Sequence, residues 1–460
     1  MFDIFFHTSI YNRMKGSCLA YLALLSLLLE SSIRYTTATG FHGSSSSTTS
    51  SINQHHTSLV SSSDEINNKV QSEQLESITS KMEKEQVCII GSGNWGSAIA
   101  TVVGRNANRL AFCNNEVRMW VFEEEVTLEN NKTAKLSNVI NEQHENIKYL
   151  PGVKLPENVR AVPSLEEAAR DATVLIFVLP HQFLPKLLPT IRASINPNRC
   201  YGVSLIKGLD FDATTKLPVL ISRSIEKAMG NQFRCGVLMG ANVADEVARQ
   251  RTCESTLACD FGSDVVNEKI RQIFDEEHFR VARITDVAGA EACGALKNVI
   301  ALGAGFVDGL GLGGNTKAAL LRVGLLEMTK FCTMFFDGVE KGTFMESCGV
   351  ADLITTCYGG RNRKCANEFA KRRATNQAYS NSESCHKLWS TIESELLSGQ
   401  KLQGTLAAKE VYQLLQARNL LNEFPLMTAI YEISFLGKPI NIIADGIRTH
   451  TKSNLPLSKL

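Results

Sequence analysis

The chain has almost no net charge: 48 lysines and arginines stand against 47 aspartates and glutamates, leaving +1. Nothing therefore draws it broadly to nucleic acid or to an anionic membrane surface, and an anionic ligand has to be held by a local basic site. It also has no C-x-x-C pair. Its 13 cysteines are odd in number and sit mostly in apolar runs such as Val87-Cys88-Ile89. No cysteine–histidine grouping has metal-ligand spacing, so no metal site is expected and a metal-dependent alcohol dehydrogenase is disfavoured. The thiols read as buried structural groups of a reducing compartment rather than a disulfide framework. Cys18 opens and Leu29 closes an uncharged apolar run that is too short to span a bilayer, so stable membrane insertion is not expected.

What is present is an ordinary globular balance, 44% apolar and 21% charged over 460 residues. That length suits two domains and a tail. We expect a disordered targeting presequence over 1–80, a dinucleotide-binding domain over 84–283, a helical substrate domain over 284–445 and a flexible tail over 446–460.

The two ends carry conflicting addresses. Arg13 and Lys15 precede the apolar run, Ala38-Thr39-Gly40 supplies small residues for a signal peptidase, and Phe41 then leads a serine-rich stretch. This resembles the bipartite presequences of complex algal plastids, the alternative being an extension of no consequence. Ser458-Lys459-Leu460 reads as a peroxisomal import signal. A chain threaded into the secretory route never meets a cytosolic receptor, whereas initiation at Met82 would keep only the second signal. With neither in use, the cytosol is the default.

The apolar run Gln86-Val87-Cys88-Ile89-Ile90 is followed at once by Gly91-Ser92-Gly93-Asn94-Trp95-Gly96 and then by a helical pattern from Ser97. This is G-x-G-x-x-G in its strand–turn–helix setting. The glycines permit a tight turn, close approach of backbone to a pyrophosphate, and helix–strand packing. The pyrophosphate sits on the helix N-terminus. Gly309, Gly311 and Gly314 repeat the pattern without a preceding strand, and we read them as a flexible loop. A strand from Val117 to Phe122 ends in Glu123-Glu124-Glu125, either a ribose-binding acidic end that favours NAD over NADP or a solvated charge cluster. The continuous apolar run from Ala172 to Leu179 reads as a central parallel strand ending in Pro180-His181-Gln182-Phe183. Further strands end in Ile206-Lys207-Gly208 and in Gly240-Ala241-Asn242-Val243-Ala244. Together they indicate an α/β, Rossmann-like, doubly wound sheet with its site along one rim.

Beyond residue 283, apolar spacings of three and four indicate an all-α second domain. Three segments in it are odd for plain helices. Lys297 and Asn298 interrupt a strongly apolar stretch, so the lysine either snorkels or is functional. Asp352 lies within an apolar run. Gly359-Gly360-Arg361-Asn362-Arg363-Lys364 is either a phosphate clamp at a helix start or a solvated basic turn.

These stretches, together with His144-Glu145-Asn146, Lys148-Tyr149-Leu150-Pro151-Gly152, Cys293-Gly294-Ala295-Leu296-Lys297-Asn298 and Gly399-Gln400-Lys401-Leu402-Gln403-Gly404, resemble eukaryotic NAD-dependent glycerol-3-phosphate dehydrogenase. The resemblance runs in order from about Glu85 to Lys438. It implies reversible hydride transfer between NADH and dihydroxyacetone phosphate, feeding glycerol and glycerolipid metabolism, in a homodimer. Lys297 is then the catalytic acid/base, Lys207 a second cation that also binds substrate, and Asp352 the group orienting both. Asn298, Thr356, Arg361 and Asn362 contact substrate. Gly91, Ser92, Gly93, Asn94, Trp95, Gly96, Phe122, Phe183, Ala244, Arg361, Lys401 and Gln403 contact NAD. Residues 373–389 depart from the family and read as a polar loop. The rivals are a hydroxy-acid dehydrogenase of the same plan and a non-catalytic NAD-binding sensor.

Overall fold

The computed structural model describes residues 83–128, 131–212, 214–215, 217–376, 379–397 and 401–452, all within the second of the chain's two units, Met82–Leu460. Both targeting signals, Cys18, Leu29 and Phe41 included, lie outside the described residues, as do Gly399, Gln400 and Ser458-Lys459-Leu460.

The first half is built on an eight-stranded sheet wrapped by helices, with two small two-stranded hairpins beside it. Its strands are β1 (Val87–Ile90), β2 (Val117–Trp120), β3 (Val159–Val162), β4 (Val174–Phe177), β5 (Tyr201–Ser204), β6 (Arg234–Met239), β7 (Cys253–Ala258) and β8 (Phe279–Ile284). Their order across the sheet is β8-β7-β6-β5-β4-β1-β2-β3. The six strands β3-β2-β1-β4-β5-β6 run parallel, the strand order of dinucleotide-binding folds, with its reversal between β1 and β4. β1 and β4 are buried along their whole length, which is why both read as unbroken apolar runs. β7 pairs antiparallel with β6 and parallel with β8, so the far edge of the sheet is reversed. The helices of this half are α1 (Asn94–Arg109), α2 (Leu136–Gln143), α3 (Leu165–Ala169), α4 (Leu184–Ser194), α5 (Ile221–Met229), α6 (Ala244–Ala248) and α7 (Asp264–Phe274).

The second half is built on α8 (Val287–Gly309), a 23-residue helix long and apolar enough to cross a membrane but buried throughout its apolar window. It is the core helix of a bundle. Around it pack α9 (Gly313–Phe335), α10 (Asp352–Gly359), α11 (Arg361–Thr375), α13 (Gln403–Ala417) and α14 (Pro425–Phe435), while α12 (Ser382–Leu397) and α15 (Ile442–Lys452) complete the shell. α8 also contacts β6, which ties bundle to sheet. Gly305 lets α11 approach closely, since a Cβ there would stand 2.5 Å from Ala366 Cβ and 2.8 Å from the Asn367 nitrogen.

Several expectations are corrected. Residues 373–389 are not a polar loop: α11 continues to Thr375 and α12 begins at Ser382. Cys385, Leu388, Trp389 and Ile392 share one face of this helix and are buried, and the Trp389 ring stacks on Phe369 with centroids 4.2 Å apart. Gly309 to Gly314 is not a loose loop but the tight turn from α8 into α9, with Gly311 and Gly313 both at positive φ. β2 stops at Trp120, because Glu125 starts a hairpin of Glu125–Thr127 with Thr133–Lys135. α15 runs across residue 446, where a flexible tail was expected.

Candidate active site

At the end of β1 the chain turns through Gly91, whose φ of +122° suits only glycine. Cβ atoms at Gly91 and Gly96 would collide with the carbonyl oxygens of Val178 and Gly91 respectively, whereas at Gly93 nothing stands within 4 Å. The turn is thus closed on its β4 side and open where the backbone of α1 begins. Phe122, just after β2, and Phe183, just after β4, are 72% and 54% exposed, apolar rings left bare on the same rim. Ala244 opens α6 beside Ala98 and Leu150.

The acidic end of β2 is engaged by protein rather than merely solvated. Glu123 accepts from the Ser137 backbone (3.2 Å) and hydroxyl (2.7 Å) at the start of α2, and Glu124 pairs with Lys148.

Across the cleft, Lys297 projects from the middle of α8. Asp352 begins α10 directly after a single π-turn, Ser347–Ala351, an irregularity that re-aims side chains. Asp352 takes one lysine on each oxygen: Lys207, from the loop after β5, at 2.9 Å, and Lys297 on the other. Lys207 also donates to the Gly240 carbonyl at 2.9 Å, and Lys297 to the Thr356 hydroxyl at 2.9 Å. The side chains of Lys297 and Asp352 are only 5% and 3% exposed. Burial pushes the Lys297 ammonium down to about 7, with Asp352 opposing and Lys207 reinforcing the shift. For Asp352, burial works to raise the pKa, but the charges of Lys207 and Lys297 outweigh it and the carboxyl lies below its ordinary value. The snorkelling alternative for Lys297 fails: its ammonium is buried and paired.

One turn beyond, Gly360 precedes α11, so Arg361 and Asn362 sit at that helix's N-terminus. The Asn362 amide donates to Asn298 Oδ1 (2.9 Å) and its oxygen accepts from the Gly404 backbone (3.0 Å). Gln403 opens α13 and lines a cleft with Lys207, Asn298, His181, Gln182 and Glu410. Lys401, just before it, is paired with a carboxylate, its ammonium 2.7 Å from Glu393. The fold thus joins Lys207, Lys297, Asp352 and Thr356 in one hydrogen-bonded group, with Asn298, the residue after Lys297, paired to Asn362 beside it.

The family models for the N-terminus and C-terminus of NAD-dependent glycerol-3-phosphate dehydrogenase match residues 86–264 and 286–445. The human cytoplasmic enzyme of that name is 47% identical over 370 residues, 80% of this chain and 99% of its own length. The chain belongs to the NAD-dependent glycerol-3-phosphate dehydrogenase family. Solved glycerol-3-phosphate dehydrogenases agree. The Saccharomyces cerevisiae structure is 40% identical with a TM-score of 0.71, covering 79% of this chain and 99% of its own. The Plasmodium falciparum structure is 36% identical with a TM-score of 0.71, covering 81% and 97%.

In this glycerol-3-phosphate dehydrogenase chain several site neighbours were not foreseen from sequence. Glu393 is 4% exposed, and besides Lys401 it accepts from the Leu402 backbone at 3.2 Å. A carboxylate flanked by buried Ile392 in an otherwise polar stretch was the available signal. Glu410 was equally unremarked, and burial, aided by Asp210, pushes its carboxyl up to about 7.

Proposed function

We propose that the chain interconverts dihydroxyacetone phosphate and sn-glycerol 3-phosphate, with Lys297 as the proton donor and acceptor. The observation that carries this reading is the buried Lys207–Asp352–Lys297 group, in which a lysine is depressed to about 7 beside the Asn298–Asn362 pair. A catalytic proton donor works best when its pKa lies near the working pH.

The glycine turn fits a dinucleotide, since the open face at Gly93 leaves the α1 N-terminus clear for a pyrophosphate. Gly91, Ser92, Gly93, Asn94, Trp95 and Gly96, with Phe122, Phe183, Ala244, Arg361, Lys401 and Gln403, are the residues that hold NAD. When bound, the nicotinamide supplies hydride to C2 of the ketone or accepts it from the alcohol. Lys297 gives its proton to the C2 oxygen during reduction and, when neutral, takes it back during oxidation. Lys207, Asn298 and Thr356 hydrogen-bond substrate oxygens, Asp352 fixes both ammonium groups, and Arg361 with Asn362 at the start of α11 receives the phosphate. Residues 84–283 carry the cofactor and 284–445 the substrate.

NADH absorbance tests the reading directly, using the full chain with dihydroxyacetone phosphate, beside a Lys297→Met variant and an NADPH control. Rapid oxidation by the wild type and a loss of about a thousandfold in the variant are expected. A folded, NAD-binding protein without turnover would overturn it in favour of a sensor.

The reading extends to a homodimer, measured by light scattering. It extends also to two competing addresses, a plastid presequence and the Ser458-Lys459-Leu460 signal, separable by fluorescent fusions of each end. Cytosolic signal from both would leave the chain where its cytoplasmic relatives are named.

A further inference from the structure

One matched segment, residues 144–152, has no part in the roles above, yet it is bound tightly to the glycine turn. Asn146 is wholly buried. Its amide donates at 2.8 Å to the Ser92 carbonyl and at 2.8 Å to the Ser97 hydroxyl, and its oxygen accepts from the Tyr149 backbone at 3.1 Å. The Ser97 hydroxyl in turn donates to the same Ser92 carbonyl at 3.1 Å. A second tie runs the other way, from the Asn94 side chain to the Tyr149 carbonyl at 2.8 Å. Leu150 seats the segment against Ala98 and Trp95 of α1.

We infer that Asn146 is a positioning residue for the dinucleotide: it fixes the peptide between Ser92 and Gly93 so that its N–H faces the pyrophosphate. A trans peptide is planar, and its carbonyl and N–H point in opposite directions. Pulling the Ser92 oxygen into the protein with two side-chain donors therefore turns the Gly93 N–H outward. Space around Gly93 is open as well, since a Cβ there would meet nothing within 4 Å. Without the Asn146 donor this peptide is held only by Ser97 and can rotate, presenting a carbonyl dipole to an anion. The inference rests on the reading of Gly91 to Gly96 as the NAD site.

Three variants of the full chain test it, with NADH titrated by fluorescence and thermal midpoints recorded alongside. Asn146→Ala should weaken NADH binding roughly tenfold or more, the cost of losing one buried donor to a binding-site peptide. Turnover at saturating NADH and KM for dihydroxyacetone phosphate should stay within about twofold. A lowered thermal midpoint with NADH affinity unchanged would mean that Asn146 is only a core residue, and would overturn the inference. Should Asn146→Ala fail to fold, Ser97→Ala removes the lesser donor to the same carbonyl. It should weaken NADH about threefold, and unchanged affinity there is equally fatal. Gly93→Asp is the control for the underlying reading. Loss of binding in Gly93→Asp without loss in the other two sinks the positioning role alone, while unchanged binding in Gly93→Asp sinks the assignment of the turn.

Discussion

Asp352 stands between Lys207 and Lys297 with one carboxylate oxygen on each ammonium group. One anion thus compensates two cations, with Asp352 and Lys297 buried and Lys207 partly exposed. Replacing it with asparagine leaves both cations uncompensated and close together. Removing one partner of a buried ion pair costs about 3–5 kcal/mol, so Asp352→Asn should unfold at distinctly lower temperature. Its kcat/KM should fall at least about a hundredfold, because Lys297 loses both its orientation and the charge that holds its pKa up. Calorimetry and steady-state rates on one preparation check both. A variant with native stability and rates would show that Thr356 and Gly240 alone suffice to place the lysines.

The depressed Lys297 sets the direction of the pH dependence. Reduction of the ketone needs the ammonium form, so kcat/KM for dihydroxyacetone phosphate should fall as pH rises through about 7. Oxidation of glycerol 3-phosphate needs the free amine and should fall as pH drops through the same region. Lys207 helps depress Lys297, so Lys207→Gln should move both limbs to higher pH, besides slowing the reaction. Limbs that stay put in Lys207→Gln would assign them to another group, Glu410 being a candidate in the same cleft with its carboxyl raised to about 7.

The cofactor half was legible because its signals are local. Gly91 to Gly96 directly follow an apolar strand, and β1 and β4 are buried on both faces, so each reads as an unbroken run. The catalytic group was not legible in that way. Lys207, Lys297 and Asp352 come from a loop, a helix and a helix start far apart in sequence, and no periodicity joins them. Lys297 seen alone read first as a snorkelling lysine, and only the resemblance singled it out. The reversal at β7 is invisible because antiparallel and parallel strands share one periodicity. The polar composition of 373–389 hid the start of a helical face, since Cys385, Leu388 and Trp389, continued by Ile392, are enough to seat a helix whose other side is wet.

That buried face makes a stability prediction. The Trp389 ring stacks on Phe369, and its indole N–H donates to the Ser434 carbonyl at 3.0 Å. Trp389→Ala empties the contact between α11, α12 and α14 and should cost about 3–5 kcal/mol. The loss is read as the shift in denaturant midpoint, with KM for both substrates unmoved. No change in midpoint would restore the loop reading of this segment.

With NADH saturating, so that its cofactor contact is masked, Arg361 should be felt chiefly through the phosphate. It sits with Asn362 at the amino end of α11, and Asn362 is already engaged by Asn298 and Gly404. The asparagine therefore ties the clamp to the catalytic side of the cleft, and the arginine supplies the positive charge. Arg361→Met should raise KM for dihydroxyacetone phosphate about 10- to 100-fold, the worth of charge-assisted hydrogen bonds to an anion. Slow turnover of unphosphorylated dihydroxyacetone should change little, so the preference for the phosphorylated ketone shrinks by about the same factor. Equal losses on both ketones would leave Arg361 serving the fold or the cofactor alone, with the helix N-terminus and Lys207 as the phosphate's partners.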